Sequence, residues 1–175
     1  MESTRTKTKN MVFAALICAA TAILAQIVLP IGPVPFNLAV FGAYLAGCLL
    51  SPLWAAASMG VYLLLGTFGV PVFAQFSAGP SVLFGPTGGY IFGYIAIALC
   101  TALAIKNTGS KLLLGGAMLL GLAVCYALGT GWFIITTGRG VAESLLLCVV
   151  PFILPDIAKG ICALLLSIAL KKRLR

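Results

Sequence analysis

From Asn10 through Ile105 the chain contains no Asp, Glu, Lys, Arg or His. A water-facing surface is built largely from such residues, and they make up about 25% of an ordinary soluble domain. Here 8% of residues are charged and 62% are hydrophobic. A helix crossing a bilayer takes roughly 20 apolar residues, so the uncharged stretch has room for about four spans. A transmembrane β-barrel would show segments of alternating polarity, a pattern this chain lacks. The expectation is an all-α integral membrane protein, a compact bundle of about six transmembrane helices.

Breakers divide the apolar mass. Helices are expected over about 10–29, before Pro30, Gly32, Pro33 and Pro35, and over 36–50, before Ser51-Pro52. Others follow over 53–66, 89–105, 112–136 and 155–170. Residues 67–88 are rich in Gly, Pro and Ser, and a polar turn holds Lys106, Asn107, Gly109 and Lys111. No polar linker interrupts the chain, so residues 1–175 read as a single domain. Arg5, Lys7 and Lys9 precede the first apolar run as they would in a signal peptide. That run is too long and lacks a small-x-small cleavage site, so it is expected to remain as the first helix.

Topology follows from the Lys and Arg of short loops. Of 11 such residues, all but Arg139 and Lys159 fall on one side if six helices cross: Arg5, Lys7, Lys9, Lys106, Lys111, Lys171, Lys172, Arg173 and Arg175. Both termini are then cytoplasmic, and loops 30–35, 67–88 and 137–154 face outward. Two of these loops are largely apolar despite their breakers. Irregular backbone at membrane depth survives where it is buried in protein or lines a cavity. Folded-in outer loops over a pocket are therefore expected, with short interfacial helices as the alternative.

The basic balance does not point to nucleic acid, because the charges cluster at chain ends and in one short turn. The 6 cysteines stand singly in apolar runs, and the 0 histidines leave no metal-ligand set. There is no nucleotide-binding loop, no Ser/His/Asp set and no relay of acids, so an enzyme is not expected. Any uphill transport must draw its energy from a partner.

Asp156 and Lys159 lie three apart, on one helical face. An ionisable side chain inside a membrane is costly and by default marks a functional site, a self-neutralising structural pair being the alternative. Pro155 suits the first position of a helix, which would set Asp156 in the first turn, near the outer surface. A carboxylate and an ammonium together accept from N–H groups and donate to carbonyls or carboxylates, as a small polar head group needs. The run Gly85-Pro86-Thr87-Gly88-Gly89-Tyr90, followed by Gly93, is no phosphate loop, since no Gly-Lys-Ser/Thr follows. Its glycines recur every four residues and open the backbone to another helix or to a ligand. Ala15 and Ala19 make a second ridge of small residues.

These segments resemble the BioY family, the membrane substrate-binding (S) components of energy-coupling factor (ECF) transporters for biotin. The resemblance spans nearly the whole chain. It is carried by Pro33-Val34-Pro35-Phe36, by Tyr62-Leu63-Leu64-Leu65-Gly66 continuing to Gly69-Val70-Pro71-Val72-Phe73, by Gly85 to Tyr90, and by Pro151-Phe152 with Pro155-Asp156-Ile157-Ala158-Lys159. It implies a six-helix S-component fold in the plasma membrane and a high-affinity biotin site near the outer face. Biotin would be cargo, with no resident cofactor or metal. The implied ligand-binding set is Asp156, Lys159, Asn37, Phe73, Gly85, Thr87, Gly88, Gly89 and Tyr90. The implied partners are a membrane T component, met by Ala15 and Ala19, and two cytoplasmic ATP-binding subunits. An S component for another vitamin and a stand-alone carrier or channel remain as other readings.

Overall fold

The computed structural model describes residues 4–29, 35–107 and 110–173. Pro30, Gly32, Pro33, Val34, Gly109 and Arg175, and the side chain of Arg5, lie outside the described set. Eight α-helices are described: α1 (Thr4–Ala25), α2 (Ala39–Leu49), α3 (Pro52–Thr67), α4 (Pro80–Phe84), α5 (Gly88–Asn107), α6 (Lys111–Thr137), α7 (Val141–Cys148) and α8 (Val150–Arg173). A two-stranded antiparallel hairpin joins α1 to α2, pairing β1 (Val28–Leu29) with β2 (Phe36–Asn37).

Four helices, α1, α5, α6 and α8, are long and apolar enough to cross a membrane; α2 and α3 are apolar but shorter. Their outer faces carry Leu16, Ile23, Leu128, Ile135, Leu165 and Ile168 exposed. An apolar exterior around an apolar core is what a lipid solvent selects.

Small residues set the packing. On α2 a Cβ at Gly42 would come 2.4 Å from Thr21 of α1, and one at Gly47 would come 2.5 Å from Thr101 of α5. A Cβ at Gly93 would sit 2.5 Å from Cys125, and one at Gly129 would meet the Tyr90 ring at 2.2 Å. The α5–α6 contact is thus a close backbone approach of the small-residue kind. Ser58 of α3 donates to the Ala14 carbonyl of α1 at 2.8 Å, fixing those two helices as well.

Local chemistry sets the helix ends. The Asn37 side chain accepts from Ala39 N–H at 2.9 Å and starts α2. Pro52 opens α3 behind Ser51, where its missing N–H costs nothing. Gly138, with φ of 70°, closes α6 in left-handed backbone that glycine adopts freely.

Three expectations need correction. The first helix stops at Ala25, because the hairpin takes over from Val28. The outer segments are partly helical, 67–88 containing α4 and 137–154 containing α7 and the start of α8. The last helix begins at Val150, so Asp156 lies in its second turn and Pro155 sits inside the helix. The amides of Phe152 and Ile153 bond to the Val149 carbonyl at 2.9 and 3.2 Å, which closes the new first turn ahead of the proline. Pro155 then forfeits only the bond its own N–H would have made one turn back.

Chain direction brings unlike chemistry to opposite ends of the bundle. The N-terminal end of α1, the C-terminal ends of α5 and α8 and the N-terminal end of α6 hold Lys7, Lys9, Lys106, Lys111, Lys171, Lys172 and Arg173. The other end holds the hairpin, the 67–88 segment, α7 and the Asp156–Lys159 turn of α8.

Candidate ligand-binding site

Asp156 and Lys159 face inward from α8, 3% and 7% exposed. The Lys159 ammonium donates to Asp156 Oδ1 at 2.6 Å and to the Asn37 carbonyl at 2.7 Å. It also lies 3.9 Å from the centre of the Phe36 ring, in cation–π geometry. Phe36 in turn stacks on Phe152 with centroids 6.0 Å apart. On the other side of the carboxylate, Tyr126 of α6 donates to Asp156 Oδ2 at 2.8 Å.

A buried ion pair is favourable only when its geometry and remaining hydrogen bonds offset the desolvation of both charges. Here both carboxylate oxygens are met by charged or hydroxyl donors. These contacts use two of the three ammonium hydrogens and leave carboxylate lone pairs and the Tyr126 oxygen able to accept. The cluster can therefore donate to one ligand oxygen while accepting from ligand N–H groups, without losing its own order.

The pair borders a small compartment of about 40 Å³, walled also by Asn37, Val40, Tyr90, Tyr94, Cys125, Tyr126, Cys148 and Phe152. A larger one, of about 230 Å³, is lined by Tyr62, Phe73, Ala74, Gln75, Ser77, Val82, Thr87 and Ile91. Pro35, Asn37, Tyr90 and Tyr94 line both, so the two form one bent cavity under the hairpin and the 67–88 segment. The charged pair sits at one end of this space. The larger compartment mixes apolar Phe73, Val82 and Ile91 with Gln75, Ser77 and Thr87, a few convergent polar groups among apolar walls as in other small-molecule sites.

Six of the nine residues expected in the site line this cavity: Asp156, Lys159, Asn37, Phe73, Thr87 and Tyr90. The Asn37 side-chain oxygen accepts from the Ala39 amide at the start of α2, at 2.9 Å. The Tyr90 hydroxyl is hydrogen-bonded to Thr130 at 2.9 Å. Gly85, Gly88 and Gly89 stand behind the wall. A Cβ at Gly88 would lie 1.7 Å from the Leu83 carbonyl oxygen, and one at Gly89 would lie 2.5 Å from Leu128 O and Trp132 Cβ. The Gly85 carbonyl accepts from the Trp132 indole at 3.0 Å. Sequence left open whether a helix or a ligand approaches these glycines, and the atoms that do so are protein.

Tyr126 and Tyr94 are the site residues that sequence reasoning missed. Tyr94 follows Tyr90 by one helical turn, as Thr130 follows Tyr126, and those two spacings were the signal available. Ala15 and Ala19 are both exposed on the outer face of α1. Beside Ala15 runs an apolar groove of about 140 Å³, shared with Cys18 of α1 and with Trp54, Ala57 and Val61 of α3.

A model of the BioY family matches residues 1–175. The chain belongs to the BioY family. Among relatives of this BioY-family chain, a probable biotin transporter BioY of Pyrococcus horikoshii is 40% identical over 161 residues, 92% of this chain and 95% of the relative. The biotin transporter BioY of Thermotoga maritima is 34% identical over 165 residues, 94% of this chain and 96% of that one. Among solved structures, the crystal structure of an S component for biotin from an ECF-type ABC transporter superposes with a TM-score of 0.89. It is 26% identical, over 98% of this chain and 95% of that chain. A second S component of a bacterial ECF transporter, at 18% identity and a TM-score of 0.55, shares the fold alone.

Proposed function

We propose that this BioY-family chain captures biotin in the bent cavity and serves as the substrate-binding subunit of an ATP-driven ECF transporter. The observation that carries the reading is the buried Asp156–Lys159–Tyr126 cluster at the charged end of that cavity. Biotin joins a planar ureido ring, with two N–H donors and one carbonyl, to an apolar tail ending in a carboxylate. The cluster offers acceptors and a cationic donor side by side, and the larger compartment offers apolar Phe73, Val82 and Ile91 together with the side-chain donors and acceptors of Gln75, Ser77 and Thr87.

In the same reading the protein is a transport subunit of the plasma membrane and not an enzyme. Its single domain has six membrane-embedded helices, with α2 and α3 as the shorter pair. The lysine- and arginine-rich end, with both termini, faces the cytoplasm, which places the cavity outward. Asp156, Lys159, Asn37, Phe73, Thr87 and Tyr90 contact the ligand, while Gly85, Gly88 and Gly89 shape the wall. With no ATP-binding motif of its own, the chain depends on a T component, docked against Ala15 and Ala19, and on two cytoplasmic ATP-binding subunits.

Uptake of labelled biotin into cells lacking their own biotin transporters tests this. Expressed with a coupling module, the chain drives accumulation that stops when the ATP-binding subunits are inactivated. Accumulation that ignores those subunits would make it a stand-alone carrier.

A further inference from the structure

Two adjacent residues in the 67–88 segment, Gln75 and Phe76, hold φ of 59° and 55°. Left-handed backbone is disfavoured for residues with a Cβ, and it persists only where the surroundings over-determine it. Gln75 and its neighbours Phe73, Ala74 and Ser77 line the larger compartment. The strained turn is thus part of the cavity wall.

What over-determines it comes largely from α1 and α3. Just beyond the end of α1, Gln26 points its side-chain amide at the turn. Its Nε2 lies 3.2 Å from the Val72 carbonyl oxygen, 3.1 Å from that of Phe73 and 2.9 Å from that of Ala22. Its Oε1 accepts from Phe76 N–H at 2.8 Å. Backbone carbonyls require a donor and an N–H requires an acceptor, so the network fixes which way the amide points. From α3, the Tyr62 hydroxyl donates to the Val72 carbonyl at 3.0 Å. Phe73 is bedded against Gly66, where a Cβ would come 2.1 Å from its ring. The contacts from α3 hold residues 72 and 73, and Gln26 reaches across to the strained step itself.

We propose that Gln26 is a positioning residue for the ligand. It keeps the 72–77 turn in its strained form and so keeps the wall of the larger compartment closed over what the cavity holds. Without the amide the turn relaxes toward ordinary backbone and the ligand leaves faster. The idea rests on the biotin reading of the cavity.

Gln26→Met preserves length and shape and removes every polar contact. In ligand-free protein, hydrogen exchange at the Phe73 and Ser77 amides rises about tenfold, while that of Tyr94 on α5 is unchanged. Those amides bond to the Ser77 and Ala74 carbonyls at 3.1 and 3.3 Å, so Gln26 supports them only through the turn. Biotin dissociation also rises about tenfold with little change in association, the loss expected for a few neutral hydrogen bonds. Adding Phe76→Gly, at a residue 71% exposed, removes the left-handed penalty at one of the two strained positions and restores part of the slow dissociation.

Unchanged exchange at Phe73 and Ser77 overturns the proposal whether or not biotin binds. So does a variant that loses melting temperature yet releases biotin at the wild-type rate, since Gln26 is then only structural. Wild-type protein with no biotin affinity overturns the ligand reading instead, and the exchange result alone then decides what Gln26 does.

Discussion

The Tyr126 hydroxyl on α6 meets Asp156 Oδ2 on α8 at 2.8 Å. Lys159 holds the other carboxylate oxygen at 2.6 Å, so Asp156 is oriented from both sides before any ligand arrives. Preorganisation of this kind avoids the cost of ordering the site at the moment of binding.

Tyr126→Phe keeps the ring in the wall and removes the hydroxyl. The carboxylate then has one fixed partner instead of two and loses a hydrogen bond of the charged class, worth about 1.5–3 kcal/mol. Biotin affinity should fall by about tenfold or more, read by calorimetric titration of purified protein. An unchanged dissociation constant would remove Tyr126 from the site.

Asp156→Asn replaces an acceptor-only group with one that also donates, and Lys159→Met removes the cation while keeping much of the stem. Each should lower biotin affinity by roughly ten- to a hundredfold. Each also leaves the other charge buried without its partner, a loss of about 3–5 kcal/mol that thermal melts will register. If the pair is only scaffold, the double variant regains stability and every surviving variant binds biotin normally. Biotin methyl ester separates two roles for the lysine. An ammonium that reads the ligand carboxylate makes wild-type protein, but not Lys159→Met, discriminate against the ester.

The helical class, the basic end and the Asp156–Lys159 pair were legible because a charge in an apolar run has few innocent explanations. Tyr126 was not, since a tyrosine among Leu, Ala and Gly looks like any interfacial aromatic, and its partner lies 30 residues away. The start of α8 was misread because Pro155 looks like a first helical residue, while the bonds that close the real first turn come from backbone at Val149. Gln26 was overlooked for a related reason: an amide at the end of an apolar run reads as the edge of a helix, and its acceptors lie in a loop 46 and 47 residues on.

Glycine replacements separate packing from lipid-facing positions. Gly93→Ala puts a Cβ 2.5 Å from Cys125 Sγ and 2.7 Å from its Cα, so α5 and α6 must part. The melting temperature in detergent should drop by several degrees, as overpacking costs about 1–3 kcal/mol. Gly116→Ala meets nothing within 4 Å and should be neutral or stabilising, by up to about 1 kcal/mol from helix propensity. Equal effects at the two positions would contradict the described α5–α6 interface.

Ala15→Trp and Ala19→Trp add bulk to the exposed face of α1, at the bundle's flank and away from the cavity-lining residues. Biotin binding by the isolated protein should be unchanged while ATP-driven uptake is lost, because a large side chain prevents close helix approach. Full uptake and intact assembly with the T component would show that this face is not the docking surface.

Titration of the purified protein with biotin, thiamin and riboflavin, in detergent and without ATP, tests the central claim most directly. The account predicts tight one-site binding of biotin and none of the other two. Tight binding of thiamin or riboflavin, with no heat from biotin, would contradict it.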